Sequence, residues 1–480
     1  FLPVNYWFGI EVENNRVVQI NLPYNNLEGN IPAEIGNLDS LSILDVSSNS
    51  VYSIPSSIGN LITLDTLALF GCPINTLPLD IGSLFDLKYF NICYTQITIL
   101  PDEICNLSKL EYLYGWNGML QGIPESIGNM TSLIEINLAV NDISNLPASI
   151  GNCTDLIRLQ LNANAIPVVP TEIGNLVNLE HLILGGNYIT TLPDEIFNLT
   201  TLKYLNFAAN DLDTIPSIIG NLTNLENFQF FNNNFTFIPE EIGNCSSLVY
   251  INGYGNNIDS LPLTLLNIPV QTLFLPYNSL TFEDIEPIFY IIGFEYWEQD
   301  SIGVSIDTTV FVDSTYYMEI ITGGEFNNYQ WKKNNVIIEG ATNNYLELSN
   351  ITIADSGIYN CEITNNVATG LTLQSRLIDL HVKVFTKIDE INDDLKIISL
   401  NVFPNPTRDV ISVKIDNESD SNELEVFLFN QLGELIIKSV VERLNLLELN
   451  ISNLNKGVYF LQVTDAKNGD FSKIEKVIKI

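Results

Sequence analysis

The stretch LPDEIFNLTTLKYLNFAAN, residues 192–210, holds most of one period of a repeating pattern. Its proline, Pro193, belongs to a series of prolines that are 23 residues apart. The series comprises Pro32, Pro55, Pro78, Pro101, Pro124, Pro147, Pro170, Pro193, Pro216, Pro239 and Pro262. A fixed period of this length indicates a solenoid, in which each repeat packs only against its neighbours.

The full period reads L-x-x-L-x-L-x-x-N-x-I-x-x-I/L-P-x-x-I-G-N-L, which resembles a leucine-rich repeat of the 23-residue type. The L-x-x-L-x-L part predicts a short strand with inward Leu side chains, and these strands should stack as a parallel sheet. The Asn predicts a buried ladder of amides bonded to the backbone, which Cys72, Thr95 and Gly118 interrupt in three successive repeats. The proline should begin a short convex helix or 3-10 turn as its first helical residue.

The predicted fold class is therefore an α/β leucine-rich repeat solenoid, with a parallel β concave face and short helical or 3-10 convex turns, followed by two all-β sandwich domains. The predicted domains are a partial N-terminal cap (1–16), a solenoid of about twelve repeats (17–282), a closure and linker (283–300), an immunoglobulin-like domain (301–383), a linker (384–396) and a sorting domain (397–480).

The immunoglobulin-like assignment depends on one tryptophan and one strand motif. The residues concerned are Trp331, Asp355, Gly357, Tyr359 and Cys361, in that order. They resemble the core Trp and the tyrosine-corner strand of immunoglobulin-like domains. The expected partner of Cys361 falls near Ile320, so no inter-sheet disulfide is predicted. The resemblance implies a core that depends on the packing of Trp331.

The last 84 residues resemble the type A C-terminal sorting domain of type IX secretion cargo. The motif residues that carry the resemblance are Pro404, Asn405, Pro406, Gly457, Tyr459, Lys476 and Lys479. The family implies export across the outer membrane of a Gram-negative bacterium, then processing by a surface sortase. A secreted or cell-surface location is therefore expected, with a signal peptide already removed before Phe1. A small β-sandwich spacer is the alternative reading of this segment.

Composition excludes several other classes of partner. The formal net charge of the 480-residue chain is −37, which argues against nucleic acid and anionic membrane surfaces. The sequence has no apolar run of 18 residues, so we expect no transmembrane helix. Stacking distances keep the cysteines of the repeats apart, and all six in the chain are predicted to be free thiols in small apolar slots.

The third, fifth and seventh places of each repeat are predicted to face outward on the concave side. They hold two aromatic clusters with amides, Arg158 and His181 between them. The candidate binding residues are Phe70, Tyr89, Tyr112, Tyr114, Trp116, Arg158, His181, Tyr204, Phe231, Tyr250 and Tyr254. Exposed aromatics beside amides are typical of recognition surfaces. Tyrosine also stabilises exposed strands without any ligand, so a purely structural role stays open.

Catalysis has little support in the sequence. The chain has two histidines, His181 and His381, which fall in different predicted domains, and it has no Walker, H-E-x-x-H or C-x-x-C motif. We expect no enzyme activity, no cofactor and no metal. The predicted function is adhesion or capture of an extracellular protein, peptide or glycan on the concave face. The alternatives are a structural surface or matrix component without a dedicated ligand, and a non-catalytic fragment of a larger secreted enzyme.

Overall fold

The computed structural model describes residues 7–384, 397–403, 405, 407–417, 423–431, 434–442, 446–465 and 471–479. The chain divides into two compact units. The first comprises 1–301 with the short segments 322–327 and 364–373, and the second comprises 302–321, 328–363 and 374–480.

A single long sheet runs through the first unit, with fourteen strands among the described residues. Its first two strands pair antiparallel, and every later strand pairs parallel to the one before it. In order, the strands are Ile10–Glu13, Arg16–Asn21, Ile43–Asp45, Thr66–Ala68, Tyr89–Asn91, Tyr112–Tyr114, Glu135–Asn137, Arg158–Gln160, His181–Ile183, Tyr204–Asn206, Asn227–Gln229, Tyr250–Asn252, Thr272–Phe274 and Phe294–Glu295. Glu28–Asn30 and Ser50–Ser53 form a separate parallel pair.

The register of this sheet sets equivalent places of neighbouring repeats side by side. Leu159 lies opposite Leu182, which lies opposite Leu205, and all three are fully buried. Their neighbours along each strand are half-buried on the other side of the sheet. The inward column supplies the apolar core, because strand side chains alternate between the two faces. The outward residues therefore form continuous columns across the repeats.

Short 3-10 turns return the chain from one strand to the next on the convex side. They span Ala33–Asn37, Ser56–Asn60, Leu79–Ser83, Asp102–Asn106, Ile127–Asn129, Ala148–Asn152, Thr171–Asn175, Asp194–Asn198, Ser217–Asn221, Glu240–Asn244 and Leu263–Asn267. In most of them the proline is the N-cap, with extended backbone (φ −69°, ψ 140° at Pro193). The proline thus lies one residue before the predicted place, and its carbonyl accepts the first turn bond from Ile196 at 3.2 Å.

The asparagine ladder joins each repeat to the one before it. Asn210 donates to the carbonyl oxygens of Leu184 at 3.2 Å and Phe207 at 2.9 Å, and its Oδ1 accepts from the amide of Ile189 at 3.0 Å. Where the ladder is interrupted, Cys72 donates only from its thiol, and the Thr95 hydroxyl donates only within its own repeat. The predicted weakening between 72 and 118 therefore corresponds to fewer side-chain hydrogen bonds between repeats.

The solenoid continues past the point where the sequence period breaks. An α-helix, Phe282–Ile285, and a 3-10 turn, Glu286–Ile288, precede the last strand of the sheet. Gln299 then takes the place of a ladder asparagine: it donates to the carbonyl oxygens of Leu275 and Tyr296, and its Oε1 accepts from the amide of Leu280. One further turn is thus built from residues that the repeat pattern does not identify.

Past residue 301 the structure is almost entirely β. The strands are Ile306–Phe311, Tyr316–Glu319, Asn327–Lys333, Val336–Ile337, Tyr345–Leu348, Gly357–Asn365, Thr372–Gln374 and Ile378–Lys383, with a 3-10 turn at Ile353–Asp355. They form a six-stranded and a two-stranded sheet. Ile306–Phe311 runs parallel to Ile378–Lys383, which runs antiparallel to Gly357–Asn365. Tyr316–Glu319 with Tyr345–Leu348, and Asn327–Lys333 with Val336–Ile337, pair antiparallel.

The last part of the chain forms two antiparallel sheets. Ile397–Phe403, Val410–Asn417 and Leu446–Asn450 form one, and Glu423–Asn430, Leu435–Glu442, Gly457–Asp465 and Phe471–Lys479 form the other. A core that includes Leu428, Leu461 and Val477 is fully buried. Sequence and structure therefore agree on a solenoid followed by an all-β region.

Candidate functional site

The first aromatic cluster divides into two ring groups. The rings of Tyr89, Tyr112 and Tyr114 form a triangle with centroid distances of 5.5 to 6.4 Å. Burial, and next the carboxylate of Glu135, raise the pKa of the Tyr114 phenol, so this hydroxyl stays protonated at neutral pH. The Tyr89 hydroxyl accepts a hydrogen bond from Asn91 at 3.2 Å. This group presents apolar ring area tipped with hydroxyl groups.

Phe70 and Trp116 belong to the second group, which is completed by a residue that the sequence analysis omits. Tyr94 lies between them, with its ring 5.3 Å from Phe70 and 4.7 Å from Trp116, edge to face in both cases. Tyr94 is the eighth residue of its repeat and is 43% exposed. We define Phe70, Tyr94 and Trp116 as the N-terminal triad.

The seventh place is more buried than predicted. Cys93, which the pattern places on the concave surface, is only 1% exposed, and Ala139 and Ala208 at the same place are also buried. Small side chains there are covered by the adjoining repeats, and larger rings such as Phe70 and Trp116 are half-buried. Burial raises the pKa of the Cys93 thiol to about 12.

Polar side chains occupy the middle of the face. Arg158 Nε lies 3.9 Å from a carboxylate oxygen of Glu135 in the preceding repeat. Burial, followed by the nearby charge of Arg158, lowers the pKa of His181, so this imidazole is neutral at pH 7. The His181 ring lies 5.9 Å from the ring of Tyr204, and the Tyr204 hydroxyl accepts from Gln229 at 2.8 Å. This lateral arrangement links the polar side chains of neighbouring repeats across the middle of the face.

The second predicted cluster is reorganised at the C-terminal end of the face. Tyr254 packs against Phe274 and Tyr277, at 6.0 and 5.1 Å, and Tyr277 packs against Trp297 at 5.5 Å. We define Tyr254, Tyr277 and Trp297 as the C-terminal triad. Phe231 and Tyr250 are half-buried on the face, and within the described residues no ring contact joins them to this triad or to Tyr204. Three of the four predicted members thus stand apart from the group around Tyr254.

Metal binding finds no support in the part of the chain that the structure describes, where no group of three or more His, Cys, Asp or Glu residues is placed to hold an ion. All six cysteines are free and buried, as the sequence predicts.

The motif residues of the all-β region after 301 are brought together. Trp331 is fully buried, and its Nε1 donates to the carbonyl of Asn343 at 3.0 Å. The Tyr359 hydroxyl donates to the carbonyl of Asp355 at 2.7 Å, and Cys361 is fully buried on the same strand. Gly357 has φ 153°, and a Cβ there would lie 2.9 Å from the side chain of Asn334, which explains the glycine.

Several residues of the sorting motif act inside their own domain. The Asn405 side-chain Nδ2 donates to the backbone carbonyl of Lys476 at 2.5 Å, and its Oδ1 accepts from the backbone amide of Ile478 at 2.8 Å. Lys479 is 7% exposed, and its ammonium donates to the carbonyl oxygens of Ile451 and Ser452.

The remaining sorting-motif residues divide between exposed and structural positions. Tyr459 donates to the carbonyl of Asn455 at 2.8 Å, and Gly457 begins the same strand. The Lys476 side chain is exposed. Pro404 and Pro406 lie outside the described residues.

Two family models match parts of the chain. Residues 401–479 match the secretion system C-terminal sorting domain. Residues 67–165 and 148–234 match a leucine-rich repeat region. No curated protein matches the chain in sequence. The solenoid is therefore a leucine-rich repeat region, and the sorting tail indicates secretion or surface localisation in a bacterium.

Solved structures of other repeat proteins resemble the solenoid. A leucine-rich repeat protein of Leptospira interrogans is 28% identical with a TM-score of 0.52, and the match covers 58% of this chain and 69% of that one. The plant peptide hormone receptor RGFR1 in complex with RGF2 is 27% identical with a TM-score of 0.51, covering 64% of this chain and 61% of the receptor. PEPR1 in its structure with AtPEP1 is 27% identical with a TM-score of 0.53, covering 63% of this chain and 48% of PEPR1.

Helices long and apolar enough to cross a membrane are absent from the residues that the structure describes.

Proposed function

We propose that this chain is a secreted or surface-displayed binding protein that captures an extracellular protein or peptide on the concave face of its repeats. The observation that carries the proposal is the pair of neighbouring ring groups, Tyr89–Tyr112–Tyr114 and the N-terminal triad, on a half-buried sheet face. Rigid aromatic area with polar tips loses little conformational entropy on binding and dominates hot spots. The likeness to RGFR1, a plant peptide hormone receptor whose structure is a complex with RGF2, supports a peptide or protein as the ligand class.

The same proposal assigns no catalysis to the chain. His181, the histidine of the concave face, is engaged with the ring of Tyr204 and lies near the charge of Arg158. The proposed function is binding alone. The experiment below must distinguish it from two alternatives, which are binding of a glycan and a purely structural role in a matrix.

The C-terminal region delivers the solenoid to the cell exterior in this proposal. The match of 401–479 to a sorting domain supports recognition by the type IX machinery and processing by its surface sortase. The preceding β region serves as an immunoglobulin-like spacer, an assignment supported by the buried Trp331 and by the hydrogen bond from Tyr359 back to Asp355.

A binding screen followed by alanine substitution tests the function. The full chain would be screened against a displayed library of random 16-residue peptides and against a glycan array. Trp116→Ala and Tyr114→Ala should each weaken the binding of a selected peptide by about 2 kcal/mol or more if Trp116 and Tyr114 are hot spots. Tyr188→Ala is the matched control, because Tyr188 is 64% exposed but lies outside the concave strands. Binding that both concave variants leave unchanged would remove the proposed site.

A further inference from the structure

Each repeat holds one residue in the left-handed conformation, immediately before its ladder position. These residues have φ between 51° and 68°, and they are Tyr24, Ser48, Gly71, Tyr94, Asn117, Val140, Ala163, Gly186, Ala209, Asn232, Gly255, Tyr277 and, in the last turn, Glu298. This conformation costs about 1 kcal/mol or more for a residue with a side chain, and bulky residues adopt it rarely. Most repeats accordingly use a small residue or Asn. The larger residues at these places are Val140, Glu298 and three tyrosines, and the tyrosines put exposed rings there.

Two of the three tyrosines stand at the centre of equivalent aromatic triads. In each triad, the left-handed tyrosine packs against the seventh-place ring of the preceding repeat and the corresponding ring of the following turn. Tyr94 has this relation to Phe70 and Trp116, and Tyr277 has it to Tyr254 and Trp297. Tyr94 and Tyr277 remain 43% and 45% exposed. The strained backbone thus holds an exposed ring against two others, twice, in the same geometry.

The repeat region as a whole is strongly acidic. Residues 1–300 contain 32 Asp or Glu and five Lys or Arg. Each of the five cations pairs with an acid of a neighbouring repeat: Arg16 with Asp39, Lys88 with Asp65, Lys109 with Asp86, Arg158 with Glu135, and Lys203 with Glu180. Glu295 and Glu298 are exposed beside Trp297. Exposed carboxylates therefore flank the C-terminal triad, and every Lys and Arg described in the repeats is paired with an acid. The net charge of the repeats favours a cationic ligand over an anionic one.

Aromatic faces attract Arg and Lys side chains because the ring quadrupole is negative above its plane, and Trp is the strongest partner. We infer that the two triads are anchor sites for Arg or Lys side chains of a basic, extended peptide segment. The inference rests on the proposed function and specifies its ligand class. Eight interstrand spacings separate the two tyrosines, which is roughly 38 Å along the sheet. About twelve residues of extended chain span that distance.

The test uses the full chain and peptides selected from the random 16-residue library. We expect the selected peptides to be enriched in Arg and Lys, and their affinity to fall as salt rises. The variant Tyr94→Ala/Tyr277→Ala should weaken the best peptide at least tenfold. Replacing the Arg residues of that peptide by Gln should weaken its binding to the unaltered protein at least tenfold. The same replacement should change its affinity for the double variant very little. Ala163 and Ala209 already hold the same backbone place, so alanine is compatible with the repeat.

Tyr24→Ala is the matched control, because it removes a left-handed tyrosine whose neighbour in the next repeat is Ser47. It should leave affinity unchanged. An equal effect of Arg→Gln on the unaltered protein and on the double variant would overturn the cation sites while leaving peptide capture intact. Neutral or acidic selected peptides, or glycan binding that depends on Trp116, would also overturn them. Failure of both libraries to yield any binder sensitive to Trp116→Ala would instead reject the proposed function itself.

Discussion

The side chain of Asn187 accepts a hydrogen bond from the amide of Ile166, one repeat earlier, at 3.0 Å. The Nδ2 of Asn187 donates to the carbonyl oxygens of Leu161 and Leu184. Asn187 is 5% exposed, so water does not replace these bonds when the side chain is removed. Asn187→Ala should therefore lower the free energy of unfolding by about 2–4 kcal/mol, measured by urea denaturation.

Cys72→Ala is the control for this prediction, because it stands at the same place of its repeat with one weak thiol hydrogen bond. Cys72→Ala should lower the free energy of unfolding by clearly less than Asn187→Ala does. Equal costs at the two places would show that packing, and not the ladder, decides stability there.

Buried thiols should be unreactive in the native protein. Burial raises the pKa of Cys153 and Cys245 to about 12 and that of Cys361 to about 11. At pH 8 these groups stay protonated and are shielded, and a thiol reagent such as DTNB should react with them only after denaturation. Native protein that releases six equivalents of product within minutes would contradict this.

The same thiols should make the fold sensitive to alkali. Their folded-state pKa lies above the unfolded value, so the folded protein holds the proton more tightly. The contribution to stability is present in full below about pH 9 and is lost as pH rises through the folded pKa, toward 12. Cys245→Ala should therefore show a smaller loss of stability between pH 9 and 11 than the unaltered chain, measured by thermal unfolding. An identical slope in the two proteins would count against the assignment.

The Tyr359 hydroxyl bond should contribute measurably to the β region. Tyr359→Phe removes the donor to the Asp355 carbonyl and keeps the ring, which should cost about 1 kcal/mol. Tyr317→Phe is the control, since Tyr317 is 51% exposed. Comparison of the two melting temperatures checks the expectation, and a control variant that melts lower than Tyr359→Phe would refute it.

Substitutions of Lys479 and Lys476 distinguish a lysine that stabilises the sorting domain from one that the secretion machinery could contact. Lys479→Met leaves the Ile451 and Ser452 carbonyls without their donor, so it should destabilise the domain by about 1–3 kcal/mol and reduce the extracellular fraction. Lys476→Met alters an exposed side chain and should leave stability unchanged. Immunoblots of medium and cells, with parallel thermal melts, give both readouts. Loss of export in Lys476→Met with normal stability would show that the machinery reads the exposed lysine directly.

The solenoid is predictable from sequence because one backbone geometry recurs every 23 residues and demands the same apolar residue at each inward place. Leu159 and its counterparts in other repeats are buried as the pattern requires. The last turn does not follow the 23-residue period, because Phe294 pairs with Leu273 after only 21 residues. Gln299 also replaces the asparagine at the ladder position of this turn. Tertiary contacts with the finished solenoid, and not local sequence, select that strand.

The concave surface is less predictable than the scaffold, because it depends on backbone geometry beyond the ends of the strands. A strand-period template assigns Cys93 to the outside, although the chain is already turning there and neighbouring repeats cover small side chains. The template also ignores the eighth place, because a positive φ and the direction of the Tyr94 ring are backbone properties that a single repeat does not reveal. Tyr277 occupies the eighth place as well, and Trp297 lies in the irregular last turn, which the period does not identify.

The N-terminal triad lies on the three repeats whose ladder position is filled by Cys72, Thr95 and Gly118. Rings on the surface therefore join the repeats that have the fewest side-chain bonds beneath them. A ligand that bridges the rings of this triad, as proposed above, links the repeats that share the fewest ladder hydrogen bonds. Under the proposed function, ligand binding should therefore stiffen these three repeats more than the rest of the solenoid.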